Sequence, residues 1–298
     1  MRKVGRLAIL MTVLAMSGVA QAAPFAPYKD MLFAYPGPVA SLDGGRRLDV
    51  PYDEVRDIDR RDAIPERQVK SVYIDLRAVG RVREQEITTP GGPLRYATVG
   101  TAAPGGPVVV FVHGRNGDHR LGMKDGSFGG NFNRLKNLLV RAGGQYVTVD
   151  GGQLAAADAA RIGHLLAEIR RERPAAMLVL ACASMGGQVC WTLATGEGAK
   201  MFDAMVLLGS DSSAERFAAM RRAHDAIVPI LLAHGTRDKV YAFDRQLTFF
   251  EAVRKQSPAY PIRFVGFDGG NHGTPIRMVD WRDTLNWIAG EVSPSASR

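Results

Sequence analysis

Residues Met177–Ala181 read Met-Leu-Val-Leu-Ala, an apolar run with no polar residue alternating. A strand of that composition has no face suited to water, so it belongs in the middle of a parallel sheet covered on both sides. The run breaks into Cys182-Ala183-Ser184-Met185-Gly186-Gly187 and continues as Gln188–Ala194, read as a helix. The same rhythm recurs. Val108–Val112 is a second buried strand, ending in His113-Gly114. Then come a helix over Phe128–Ala142, a strand over Tyr146–Val149 and an amphipathic helix over Leu154–Arg173. After the central run, strands are expected at Ala204–Leu208, Ile230–Ala233 and Ile262–Phe267. The helices between and after them are Ala214–Asp225, Phe243–Lys255 and Ile276–Ala289. Strands alternating with helices at this spacing give an α/β fold, a doubly wound and mostly parallel sheet with helices on both faces.

The chain ahead of that alternation reads differently. Val69–Leu76 looks like a strand. Arg83–Thr88 and Leu94–Val99, joined by Thr89-Pro90-Gly91-Gly92-Pro93, form an antiparallel hairpin expected at one edge of the sheet. From Pro24 to about Arg67 proline, glycine and charge predominate, with isolated apolar residues such as Phe25, Phe33 and Tyr35. That extension, 23–68, is expected to wrap the domain irregularly rather than build a core of its own. The alternating domain runs over 69–292, with a disordered tail at 293–298.

Residues 1–22 read as a secretory signal peptide. Arg2, Lys3 and Arg6 precede the apolar run Leu7–Val19, and Ala20-Gln21-Ala22 supplies small residues for cleavage. The apolar run is too short for an ordinary membrane span. The expected product is an exported protein, periplasmic or secreted, with no stable membrane insertion. Losing the leader lowers the formal charge of +8 by three. The remaining basic residues interleave with acids, as in Arg56-Asp57-Ile58-Asp59-Arg60-Arg61-Asp62, a pattern of solvated surfaces that carries no nucleic-acid motif. Cys182 and Cys190 are the two cysteines. Export permits a disulfide, but a helix carrying Cys190 away from the strand end makes two buried thiols the expected state. No metal-ligand spacing is present and no cofactor is implied.

Four strand ends carry residue types that act together in acyl transfer. Ser184 occupies a sharp strand-to-helix turn flanked by small residues, the nucleophile-elbow arrangement G-x-S-x-G with Cys182 in place of the first glycine. The same turn also reads as an ordinary Ser-Gly-Gly connection without chemistry. His113-Gly114-Arg115-Asn116-Gly117 can present the Arg115 amide toward the serine, opposite that of Met185, as an oxyanion hole. His113 is taken as a structural turn residue. Asp238, in the loop after Ile230–Ala233, is the candidate carboxylate; Asp211 competes but fits a helix cap better. His272, in Gly269-Gly270-Asn271-His272-Gly273 after the last strand, is the candidate base.

Taken in chain order, Ser184, Asp238 and His272, with His113-Gly114 upstream, resemble the α/β-hydrolase superfamily over about Val69–Ala289. The resemblance implies that Ser184 is the nucleophile, His272 the general base and later acid, and Asp238 its orienting partner. Arg115 and Met185 would then hold the oxyanion through their main-chain amides. Only about 20 residues separate Ala204–Leu208 from Ile230–Ala233, where members of this superfamily often carry a cap, so no large cap domain is expected. An open cleft suits soluble esters or a polymer end. Asn116 and His119, in the loop after His113, are weak substrate-binding candidates. The leading expectation is a serine carboxylester hydrolase acting through an acyl-enzyme. A thioesterase, acyltransferase or peptidase would use the same triad, and a silent hydrolase-fold binding protein would use none of it.

Overall fold

A computed structural model of the chain describes residues 25–63, 68–223 and 226–292. The leader and its cleavage point, His224 and the 293–298 tail lie outside those residues.

In chain order the elements are α1 (Asp30–Phe33), β1 (Ala40–Leu42), β2 (Arg47–Pro51), β3 (Asp62–Ala63), β4 (Gln68–Val69), β5 (Arg83–Thr89), β6 (Gly92–Val99) and β7 (Val108–Val112). Then follow α2 (Asn131–Arg141), β8 (Gln145–Val149), α3 (Ala156–Glu172), β9 (Leu178–Ala183), α4 (Gly187–Thr195), β10 (Ala204–Leu208) and α5 (Ala214–Ala223). The chain closes with β11 (Ile230–Gly235), α6 (Phe243–Gln256), β12 (Ile262–Asp268), α7 (Thr274–Met278) and α8 (Trp281–Glu291). Ten strands form one sheet in the order β1-β2-β12-β11-β10-β9-β7-β8-β6-β5, parallel from β2 to β8. The β5–β6 hairpin lies at one edge as expected.

Every residue of β7 and β9 is buried, because each strand supplies two cores. Val108, Val110, Leu178, Leu180 and Cys182 face the layer holding Ile162, Leu165, Trp191 and Phe249 of α3, α4 and α6. Val109, Phe111, Val179 and Ala181 face the layer holding Leu135, Leu139, Leu285 and Ile288 of α2 and α8. After β7 the chain builds β8 on one side and then crosses to build β9 on the other. That reversal opens a crevice at the carboxyl ends of β7 and β9, where sites form in such sheets. Among the described residues no helix is long and apolar enough to cross a membrane.

The N-terminal extension departs from expectation. It is not irregular throughout: β2 pairs in parallel with β12, and β1 folds back on β2 as the outer edge. Leu48 and Val50 are buried on the core, so two inward residues sufficed to recruit a strand the surrounding charges had obscured. The remainder docks through polar contacts. The guanidinium groups of Arg61 and Arg134 lie over Phe33, 5.2 and 4.9 Å from its ring centre. Arg134 also reaches Asp30 and Asp280 at 2.9 and 3.1 Å. Asn131, Asn133, Lys136 and Asn137 of α2 are likewise buried.

Val69–Leu76 is not a strand. Only Gln68–Val69 pairs, with β3, and Ser71–Tyr73 is a 3₁₀ turn. Val72 and Leu76 are 57% and 59% exposed, so the alternation had no core to face. Asp75 turns inward instead: its amide donates to Asn133 and its carbonyl accepts from Asn137, both at 2.8 Å. The closing helix is also two helices rather than one. Asp280 caps α8 by accepting from the amides of Arg282 and Asp283. Asn131 Nδ2 donates to the carbonyls of Ile276 and Val279 at the break, satisfying groups a continuous helix would have used.

Cys182 and Cys190 are bridged, with Cα atoms 6.2 Å apart, not free thiols. The expectation failed on geometry. Cys182 points to the α4 side of the sheet, and after the 3₁₀ turn Ser184–Gly186 the first turn of α4 folds back over that strand end. Both residues are fully buried. Replacing both by alanine is expected to cost about 2–3 kcal/mol for a loop this short. A urea midpoint equal to that of wild type would show that the bridge contributes nothing.

Candidate active site

Three loops at the carboxyl ends of β9, β11 and β12 bring Ser184, Asp238 and His272 together. Ser184 has φ 51°, in the left-handed region, which turns its hydroxyl out of the bend and marks backbone strain held by the surroundings. The close packing explains the small neighbours. A Cβ on Gly186 would come within 2.4 Å of the His113 carbonyl oxygen. One on Gly114 would lie 2.9 Å from Ser184 Cβ. No side chain fits at either position. Cys182, at the position of the motif's first glycine, points away into the α4 layer and is accommodated as half of the bridge.

His272 Nε2 lies 2.8 Å from Ser184 Oγ, and its Nδ1 lies 2.8 Å from Asp238 Oδ2. The loops holding the two partners are stitched to each other. The Thr236 amide donates to the Phe267 carbonyl at 2.9 Å and the Arg237 amide to the Gly270 carbonyl at 2.8 Å. The Gly269 amide donates to Thr236 Oγ1 at 2.8 Å. Beyond the imidazole, the Gly273 amide donates to Asn271 Oδ1, and the Asn271 amide to Thr274 Oγ1, each at 2.9 Å. The histidine loop is therefore fixed on both sides.

The Asp238 side chain is 0% exposed, while that of His272 is 29% exposed. Burial pushes the Asp238 carboxyl upward. Hydrogen bonds from His234 and His272, and from the amides of Tyr241 and Val240, outweigh burial and hold it well below the usual carboxylate range. It is thus an anion at any working pH, suited to orienting an imidazole and stabilising its cation. Asp211, the competing acid, is engaged elsewhere: Gln246 Nε2 and Arg245 Nη2 reach it at 3.0 and 3.4 Å.

His113 is a structural residue, as expected. The Gly151 amide donates to its Nε2 at 2.8 Å, which leaves the proton on Nδ1 for the Gly114 carbonyl at 2.6 Å. Gly114 backs directly onto Ser184, so Arg115 and Asn116 follow at the mouth of the site, both exposed, with Asn116 at φ 60°. Met185 opens the turn leading into α4, where first-turn amides have no intrahelical acceptor. His119 is not brought to the triad: it is buried, with Nε2 3.9 Å from Glu84 of the edge hairpin. Two features went unread in the sequence. His234 is a second imidazole on Asp238, at 3.0 Å. Tyr241 sets its ring 5.8 Å from that of His272, and Val240 beside it is 59% exposed. The spacing His234…Asp238 was the available signal for the first. Among the described residues no group of three or more His, Cys, Asp or Glu is arranged to hold a metal ion.

No protein-family model and no curated protein sequence matches the chain. Solved structures do. A feruloyl esterase module from Clostridium thermocellum, complexed with sinapinate, aligns at TM-score 0.60 and 16% identity, covering 80% of this chain and 98% of that one. A putative α/β hydrolase from Agrobacterium tumefaciens aligns at TM-score 0.55 and 14% identity, covering 72% and 100%. An esterase from Pyrococcus furiosus aligns at TM-score 0.52 and 13% identity, covering 71% and 92%. At these identities the likeness is one of fold. The chain has the α/β-hydrolase fold.

Proposed function

We propose that the protein is a serine hydrolase of carboxylic esters, working through an acyl-enzyme. The observation that carries the reading is the continuous chain Ser184 Oγ–His272–Asp238, with both links at 2.8 Å and the serine at positive φ. His272 Nε2 accepts the Ser184 proton as Oγ bonds to the ester carbonyl carbon. The resulting oxyanion faces the Arg115 and Met185 amides, which donate to it. The imidazolium, steadied by ionised Asp238, passes its proton to the departing alkoxide oxygen as the carbon–oxygen bond breaks. A water then follows the same route: His272 takes its proton, hydroxide adds to the acyl carbon, and Ser184 leaves with the proton restored.

Esters are favoured over amides by the names of similar structures, among them the feruloyl esterase module and the Pyrococcus esterase. Among the described residues a single helix, α5, lies between β10 and β11, which favours a mouth open to soluble esters or a polymer side group. We place the protein in an oxidising compartment, reached through the signal peptide read in residues 1–22. The buried Cys182–Cys190 bridge supports that location.

A fluorophosphonate probe is expected to label the wild-type protein and leave Ser184→Ala unlabelled. A panel of p-nitrophenyl esters of rising chain length, a hydroxycinnamate ester and a peptide amide should show ester turnover well above amide turnover. Labelling that persists in Ser184→Ala, or faster cleavage of the amide, would contradict the proposal.

A further inference from the structure

We propose that His234 is a positioning residue for this site: by donating from Nε2 to Asp238 it shares the carboxylate's charge and tunes the basicity of His272. The inference rests on the triad reading above and extends it. His234 is the penultimate residue of β11, just before Gly235, and the turn that follows returns Asp238 to its ring. Its side chain is 2% exposed and that of Asp238 is 0% exposed, so the contact is made away from water. Nε2 lies 3.0 Å from Asp238 Oδ2 and 2.8 Å from the Tyr241 carbonyl oxygen. An ionised carboxylate and a carbonyl only accept, so Nε2 carries one proton, aimed at the Tyr241 carbonyl and shared with Asp238 Oδ2.

Asp238 Oδ2 therefore takes two imidazoles, His272 Nδ1 at 2.8 Å and His234 Nε2. Its Oδ1 takes the amides of Val240 and Tyr241 at 2.7 and 3.0 Å. Each donor withdraws charge from the carboxylate, and a carboxylate relieved of charge holds an imidazolium less tightly. His234 thus takes up part of the charge that Oδ2 would otherwise turn wholly on His272. It also ties the Asp238 turn to the Tyr241 carbonyl, fixing where Oδ2 points.

The other groups around the pair act differently. Ser184 occupies His272 Nε2, and the Tyr241 ring stands 5.8 Å from the His272 ring. Asp211 and Arg216 influence Tyr241, and Asp211 is itself engaged by Arg245 and Gln246. Asp268 meets the Thr236 hydroxyl, and Lys239, next to Asp238, is exposed. Among the described residues, His272 donates to Asp238 and His234 stands 3.0 Å from it with the Nε2–H that also meets the Tyr241 carbonyl. A histidine serving only to satisfy the Tyr241 carbonyl would leave the pH behaviour of the site untouched. The test turns on that difference.

The pH dependence of kcat/KM for a p-nitrophenyl ester would be measured for wild type, His234→Ala and His234→Gln. Losing the donor raises the affinity of His272 for its proton. The acidic limb of His234→Ala should accordingly move to higher pH by roughly half to one pH unit, from the size of a hydrogen bond to a charged acceptor. Glutamine, which keeps an N–H donor, should bring the limb back toward wild type. A folded His234→Ala with the wild-type limb, or a glutamine variant displaced as far as alanine, overturns the proposal. Should the alanine variant not fold, the wild-type His234 Nε2–H signal followed through the titration of His272 decides: a signal that moves as His272 gains its proton supports the proposal, and one that stays fixed overturns it. If wild type is neither labelled nor active, the triad reading fails by itself. The NMR titration of His272 in wild type and His234→Ala then still decides the coupling.

Discussion

Ser184→Ala is expected to leave the protein folded and to lower kcat/KM for an activated ester by about four to six orders of magnitude. The alanine methyl fits where Cβ already lies, but the bond-forming oxygen is gone and His272 Nε2 loses its partner at 2.8 Å. Asp238→Asn should lose about 10⁴ in kcat for a different reason. An amide turned to keep donating toward His272 would place the wrong tautomer before Ser184, and one turned to accept would set its NH₂ against the Val240 and Tyr241 amides. Steady-state kinetics on purified variants, with circular dichroism to establish folding, checks both. Residual activity in Ser184→Ala above about one per cent of wild type would sink the nucleophile assignment, since the oxyanion hole and binding alone sustain far less.

Arg134→Ala is expected to destabilise the fold by about 3–5 kcal/mol, with Tm falling by roughly ten degrees. The guanidinium is 0% exposed, pairs with Asp30 and Asp280, and stacks over Phe33. Burial lowers its own proton affinity, and burial raises that of Asp280, so each charge depends on the other. Removing the cation leaves Asp280 uncompensated while it still caps α8. It also opens a void beneath α1 and releases the N-terminal extension from α2. Arg134→Met, which restores the volume, should recover part of the packing and none of the charge balance. Urea unfolding of both variants checks this. A wild-type midpoint for Arg134→Ala would mean that the extension is not held by this pair.

The site was more legible in the sequence than the surface around it. Ser184, Asp238 and His272 each follow an apolar run, and a run buried on both faces can end only at the sheet's rim. His234 was not legible as part of the site, because one histidine before a glycine shows nothing of the carboxylate four residues on. The polar face of α2 gave no warning of burial: Arg134 is covered by the extension, while Asn131, Asn133, Lys136 and Asn137 bond to Ile276, Asp75, Asp125 and Met123 from elsewhere in the chain. The bridge was missed because separation along the chain says little about distance where a strand reverses into a helix.

Local composition by itself determined the alternation of strands and helices, the edge hairpin and the order of the three candidate side chains, since burial on two faces and helical or strand period are written residue by residue. Only the tertiary structure decided that residues 47–51 join the sheet, that Cys182 meets Cys190, and that two imidazoles share Asp238. Each of these depends on which segments lie beside one another after folding. That adjacency is fixed by packing and paired charge between distant parts of the chain, which no single stretch encodes.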